Sequence, residues 1–410
     1  MAAANLSACG QSAQQTGAAI GTGVVIGGLF AVMVKNPGQV PTTTVPATTS
    51  TTTTTGSSGS STTTVTFSST TITVVTPGGT FVVQSVDHTG VYVGNIYASL
   101  ALDNNDRAHI SYYHRINESL KYAVGSIDAW VVETVYSSGD VGQYTSLALD
   151  SKQKAHISFY VPALSALAYA SGESGSWQVT IIDDPAGGDA GYFSSLAIDP
   201  SDKVHISYYD WTNSDLKYAT NRSGVWQTET VDGAGIDAGK YCAIAVDSAG
   251  TVHISYVDET NRWIKHAYGS LGAWTIDTVD APAEGCYTDI ALDAAGQAHI
   301  SYHDILIKNL RYAWGGAGTY FKQTVDNSGD VGEYNSIALD SGGNPRISYY
   351  DATNSALKYA KFDGSSWIVS TIDSAGSVGQ DTSIAVDSNG KVNIAYYSVG
   401  EFLLKYARQL

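Results

Sequence analysis

Residues 195–232 read SLAIDPSDKVHISYYDWTNSDLKYATNRSGVWQTETVD, and this stretch decides the fold. It holds four short runs, SLAI, VHISYYD, LKYAT and WQTETVD, rich in aromatic and β-branched residues and separated by Asp, Asn, Ser and Gly turns. That is the pattern of four strands, and no stretch of useful length has a helical period. The unit recurs along the chain. An Ala-(Leu/Ile/Val)-Asp motif puts Asp at 103, 150, 199, 247, 293, 340 and 387, with spacings of 46 to 49 residues. Six residues after each Asp stand His109, His156, His205, His253, His299, Arg346 and Asn393. Relatives of LKYA follow at Leu120, Leu167, Leu216, Ile264, Leu310, Leu357 and Leu404. The fourth runs open on Phe81, Trp130, Trp177, Trp226, Trp274, Tyr320 and Trp367. Four strands per repeat at a period in the forties predict propeller blades.

The two ends set the number of blades. The repeats open with a lone fourth strand at 81–87 and finish with a third strand at Leu404–Ala407. Each orphan completes the other, so the expected fold is an all-β, seven-bladed propeller of four-stranded antiparallel blades. Strand 81–87 closes the ring by joining the C-terminal blade, which removes exposed sheet edges.

The HISYYD, LKYA, Trp and TVD repeats of residues 81–410 resemble those of bacterial cell-surface propeller proteins, and more loosely sialidase-like and lectin-like propellers. The resemblance implies the fold and leaves function open, because one fold hosts many functions. The sialidase Asp-box, Ser-x-Asp-x-Gly-x-Thr-Trp, is absent.

The N-terminal 80 residues differ in kind, with no acidic residue and one Lys, Lys35. Residues 1–40 are expected to be an anchor: either the uncharged run 17–34 as a membrane-spanning or signal-anchor helix, or the lipobox-like Leu6-Ser7-Ala8-Cys9-Gly10. Residues 41–80, rich in Ser and Thr, are expected to be a disordered stalk carrying the propeller of 81–410. This layout predicts an extracellular head on the cell surface, touching the membrane only through its anchor. Three cysteines exclude a disulfide scaffold and leave open whether Cys242 and Cys286 are bonded.

The head holds all 38 acidic residues and 20 of the 21 basic ones, which argues against nucleic acid as a partner. The excess gathers in the loops joining second to third strands and fourth strands to the next blade. These emerge on one face and hold 22 acids against four bases. Six residues before each motif Asp the same face carries Tyr97, Tyr144, Phe193, Tyr241, Tyr287, Tyr334 and then Asp381. Aromatics rimmed by carboxylates suit a sugar or a cationic partner.

The repeated histidines are expected to order their hairpins through a hydrogen bond to the motif Asp or to the backbone. A single site must lie where repeats depart from consensus: His303-Asp304, Arg346, Asp289, Trp211 and Trp263. The candidate ligand-binding set is therefore Tyr97, Tyr144, Tyr241, Tyr287 and Tyr334 with Asp210, Asp258, Asp304, Asp351, Trp211, Trp263 and His303. No cofactor is expected, with Ca²⁺ left open, and no metal motif or nucleophile motif is present. The first functional reading is a non-catalytic adhesion module for glycans. The alternatives are a head that binds cell-surface protein, and a sialidase-like glycosidase or lyase.

Overall fold

A computed structural model describes residues 71–87, 96–283 and 285–410. The expected anchor and most of the expected stalk lie outside the described residues. Seven antiparallel sheets form, six of them meanders in sequence order and the seventh completed by strands from the start of the described chain. Blade 1 spans Ser99–Tyr136, blade 2 Gln143–Asp183, blade 3 Ala190–Asp232 and blade 4 Ala238–Asp280. Blade 5 spans Gly285–Asp326, blade 6 Val331–Asp373 and blade 7 Val378–Gln409. The first strands of successive blades pack against one another, and that of blade 7 returns to that of blade 1, so the ring is closed.

The closure runs as the repeat count requires. Strand Gly79–Asp87 pairs antiparallel with Leu403–Gln409 and serves as the fourth strand of blade 7. The propeller begins earlier than 81, however. Ile72–Thr76 forms a fifth strand, joined by a tight turn to Gly79–Asp87 and covering its outer edge. The last residues of the expected stalk therefore belong to the fold. A run such as ITVVT alternates too briefly to separate from the Thr-rich stretch before it.

The apolar core lies between blades as much as within them. Leu120 and Tyr122 of blade 1 cluster with Leu147, Ile157 and Phe159 of blade 2. At the closing seam Val86, Leu404 and Tyr406 cluster with Leu100 and Ile110. Each fully buried side chain of this size contributes about 1.5–3 kcal/mol relative to exposure, which makes every blade dependent on its neighbours.

Polar bonds run along the same seams. In every blade but blade 1, whose fourth strand ends on Tyr136, an Asp ends the fourth strand and accepts a hydroxyl from the next blade's second strand: Tyr208 on Asp183 at 2.6 Å, Tyr256 on Asp232 at 2.6 Å, Tyr349 on Asp326 at 2.7 Å. The LKYA lysines reach the same carboxylates, as with Lys265 on Asp232 at 2.8 Å and Lys405 on Asp373 at 2.9 Å. Lys217 likewise bonds Asp183. Part of the acidic surplus assigned to one face is thus neutralised inside the seams by bases counted elsewhere.

On the opposite face each motif Asp holds its own turn. Asp199 Oδ1 accepts the Ser201 and Lys203 amides at 2.8 and 2.9 Å. Its other oxygen is 3.3 Å from His205 Nε2, whose Nδ1 meets the Tyr218 hydroxyl at 2.6 Å. The expected His–Asp contact is present, and the Tyr of LKYA extends it into a three-residue chain. Burial lowers the pKa of His205, while Asp199 pulls the other way.

Candidate functional site: the axial ring and the loop face

The residue six before each motif Asp takes a left-handed backbone in all seven blades, with φ between 49 and 54° from Tyr97 through Asp381. Non-glycine residues seldom adopt this conformation. The pairing register explains it: a bulge falls here, for example between Tyr192 and Ser195 and between Lys240 and Ala243. A bulge re-aims the side chain it carries. Here it turns an aromatic towards the axis in six blades and Asp381 in the seventh.

The result is a ring. Tyr97–Tyr144, Tyr144–Phe193, Phe193–Tyr241, Tyr241–Tyr287 and Tyr287–Tyr334 have centroids 4.4, 4.9, 4.6, 4.9 and 4.6 Å apart. Asp381 fills the seventh place, and its Oδ2 accepts the Ile96 and Tyr97 amides at 2.7 and 3.2 Å. Burial pushes its carboxyl up to about 6 against the pull of those two amides. The expected aromatic rim exists, but the rings are tiled against each other and half-buried. They spend their surfaces on packing.

The ring aromatics themselves help to line an axial cavity of about 250 Å³, whose other walls are mostly Ser, Thr, Asn and Asp. Its polar groups are engaged in joining blades. Ser99, Ser146, Ser195, Ser336 and Ser383 each accept the amide of the next blade's first strand: Leu147, Leu196, Ile244, Ile384 and Leu100, at 2.9–3.3 Å. A second tier bonds across the seams, including Ser158 to Ser194 at 2.9 Å and Ser348 to Thr382 at 2.8 Å.

The candidate aspartates do not converge. Asp210, Asp258, Asp304 and Asp351 are all buried, Asp258 completely. Three of them cap the loop that follows, accepting from the amide and side chain of Asn213, Asn261 or Asn354 at 2.9–3.0 Å. Asp304 accepts the Leu306 amide at 3.2 Å. His303 is buried with Nε2 3.4 Å from Asp330 and Nδ1 3.7 Å from Cys286 Sγ. Burial lowers its pKa to about 4. Cys242 is a free buried thiol, so the Cys242–Cys286 disulfide is not formed. Among the described residues no group of three His, Cys, Asp or Glu is arranged to hold a metal ion.

Trp211 stands apart from these. It is 54 % exposed, whereas Trp263 at the far limb of the next blade's loop is half-buried. The Trp211 amide bonds the Asp189 carbonyl at 2.8 Å, and the Asp189 amide donates to Thr212 Oγ1 at 2.8 Å. The loop is thereby clipped over Tyr192, whose ring centroid is 5.2 Å from the indole. Tyr192 in turn lies 4.3 Å from Tyr160, and both hydroxyls bond the Asp189 carboxylate, at 2.9 and 2.7 Å. Lys240 sits beside Trp211, its Nζ 5.9 Å from the indole and 5.7 Å from Tyr209, and 2.8 Å from Asp237.

Sequence reading singled out Trp211 but missed Tyr192, Tyr160, Asp189 and Lys240 as its neighbours. The available signal was the position seven before the motif Asp, which reads Ile96, Gln143, Tyr192, Lys240, Cys286, Glu333 and Gln380. It varies freely inside an otherwise regular repeat.

No protein-family model matches the chain, and no curated protein matches it. Solved structures do. It is similar to a polysaccharide lyase described as an ulvan lyase, with TM-score 0.51 and 12 % identity over 79 % of this chain and 94 % of that one. YCF48 from Cyanidioschyzon merolae gives TM-score 0.51 at 9 % identity, covering 79 % and 98 % of the two chains. AofleA from Arthrobotrys oligospora gives 0.50 at 14 %, covering 72 % and 90 %. At these identities the likeness is one of fold.

Proposed function

We propose that the head is a non-catalytic carbohydrate-binding module, displayed outside the cell by its N-terminal segment. The observation that carries this reading is the exposed Trp211 indole, braced by Tyr192 and flanked by Asp189 and Lys240. Sugar-binding sites combine an aromatic face for the apolar side of a pyranose with a few fixed polar groups for its hydroxyls. This shelf supplies both, and it occurs in one blade. The axial tyrosines support the shelf through Tyr144, which contacts Tyr192 at 5.4 Å, and they are not themselves the contact surface.

The test is a glycan array probed with the full chain and with Trp211→Ala, each with and without Ca²⁺. Selective binding that weakens roughly tenfold in the variant supports the reading. A blank array with a folded protein sinks it.

A second reading, a protein-binding head, is favoured by Ile116, Leu164, Leu306 and Ile307, exposed at the tips of the same set of loops. Exposed apolar groups gathered on one face mark contact surfaces. A glycosidase of the sialidase kind needs arginines gathered on the substrate. Arg107, Arg346 and Arg408 instead bond the motif carboxylates Asp103, Asp340 and Asp387 on the opposite face.

A further inference from the structure

Resting on the carbohydrate reading of the Trp211 shelf, we infer that it selects sugars by charge, taking neutral and amine-bearing pyranosides and excluding those with a carboxylate or sulfate. The argument is one of charge placement. The base at the shelf is Lys240, and its charge is spent. It is 2.8 Å from Asp237, its side chain is 12 % exposed, and it lies over the rings of Tyr209 and Trp211. A ligand carboxylate would have to displace Asp237 to use it.

Asp189, whose carbonyl holds the Trp211 amide, is paired with no such cation among the described residues. The hydrogen bonds to its carboxylate come from the neutral hydroxyls of Tyr160 and Tyr192. Two carboxylates and one neutralised ammonium leave the shelf net negative. Asp210, buried under the loop, adds to the field, its hydrogen bonds coming from Asn213 and with Lys217 3.9 Å away.

Lys240 also shows what this corner accommodates. Its ammonium rests among Tyr209, Trp211 and Asp237, an arrangement of π-faces and a carboxylate that favours cations. One blade earlier Tyr160, Tyr192 and Asp189 repeat the carboxylate and aromatic parts with Tyr192 in the lysine's place. A protonated amino group on a pyranose stacked at Trp211 would find the uncompensated Asp189 within the same cluster.

The experiment compares four oligosaccharide probes against the full chain at low salt: glucosamine oligomers, their N-acetylated counterparts, a neutral hexose oligomer and a uronate oligomer. The free-amine oligomer is expected to bind about two- to fivefold tighter than its N-acetylated form. That gap should close at high salt and in Asp189→Asn. The uronate should bind weakest, and Asp189→Asn should improve it. Melting of the variant, checked alongside, separates loss of charge from loss of fold.

Uronate binding equal to that of the neutral oligomer, or an unchanged gap in Asp189→Asn, overturns the charge selection while leaving carbohydrate binding intact. Failure of all four probes on folded protein overturns the carbohydrate reading itself, and this inference with it.

Discussion

Asp289 does the work of two residues because Ala243, one blade earlier, lacks a hydroxyl. In the ring of seam bonds Ala243 stands where five other blades have Ser, so it offers the Ile290 amide no acceptor. Asp289 Oδ1 takes that amide at 2.9 Å, while Oδ2 takes the Ile337 amide at 2.8 Å as a Ser there would. The cost is a buried carboxyl, pushed up to about 6.

This relationship sets the first prediction. Asp289→Ser leaves the Ile290 amide buried without an acceptor and is expected to cost about 1–3 kcal/mol in urea unfolding. Ala243→Ser in the same chain supplies the missing oxygen and recovers most of that loss. Strict additivity of the two substitutions would refute the compensation.

Asp381 predicts a pH dependence. Its folded pKa of about 6 lies above the unfolded value of about 4. The native state therefore holds the proton longer. The stabilisation this brings is complete below about pH 4 and lost as pH rises through about 6. Asp381→Asn keeps an oxygen for the Ile96 and Tyr97 amides and removes the charge. Its melting temperature should exceed the parent's by about 2–4 °C at slightly alkaline pH. Near pH 4 the two should melt together.

Two glycines with similar backbones separate strain from contact. Gly239 has φ 115°, and a Cβ there would come within 2.6 Å of Leu216 Cα in the preceding blade. Gly224 has φ 90° with nothing near. Alanine at 224 should cost about 1 kcal/mol, the left-handed penalty alone. Alanine at 239 should cost roughly 2–4 kcal/mol, since the seam must open. Equal losses in chemical unfolding would contradict the close approach.

The fifth strand predicts solution behaviour. Deleting residues 72–76 uncovers the edge of Gly79–Asp87. Unpaired edges recruit other chains. The shortened head should scatter light on standing at concentrations where the longer one stays clear, even if its blades remain folded by circular dichroism.

Much of this molecule is legible without coordinates. Seven motif aspartates at near-constant spacing, with a lone fourth strand at one end and a third strand at the other, leave one arrangement that pairs every edge. The turn role of those aspartates and their contact with His six residues on are equally local, because a hairpin fixes which residues face each other. What escaped the repeat was contact between blades. Val257 and Ala283 are apolar together in one cluster, where other seams pair Tyr with Asp, as Tyr209 does with Asp237 at 2.8 Å. Ala98 and Ala395 likewise replace a hydroxyl pair together. Each residue alone reads as noise in its repeat.

The same division governs the site. Local pattern in the sequence determined the blade, the blade number, the closure and the identity of the seven axial residues. Which way those residues point was decided by the bulge, which turns six aromatics and Asp381 inward and makes the expected rim a packed ring. Trp211 became the candidate contact because the Asp189 backbone clips its loop over Tyr192, and because Lys240 arrives from the next blade. Strand periodicity reports which face of its own sheet a side chain occupies. Only closing the ring brings residues about fifty positions apart into van der Waals contact, and there charge, stacking and exposure are settled.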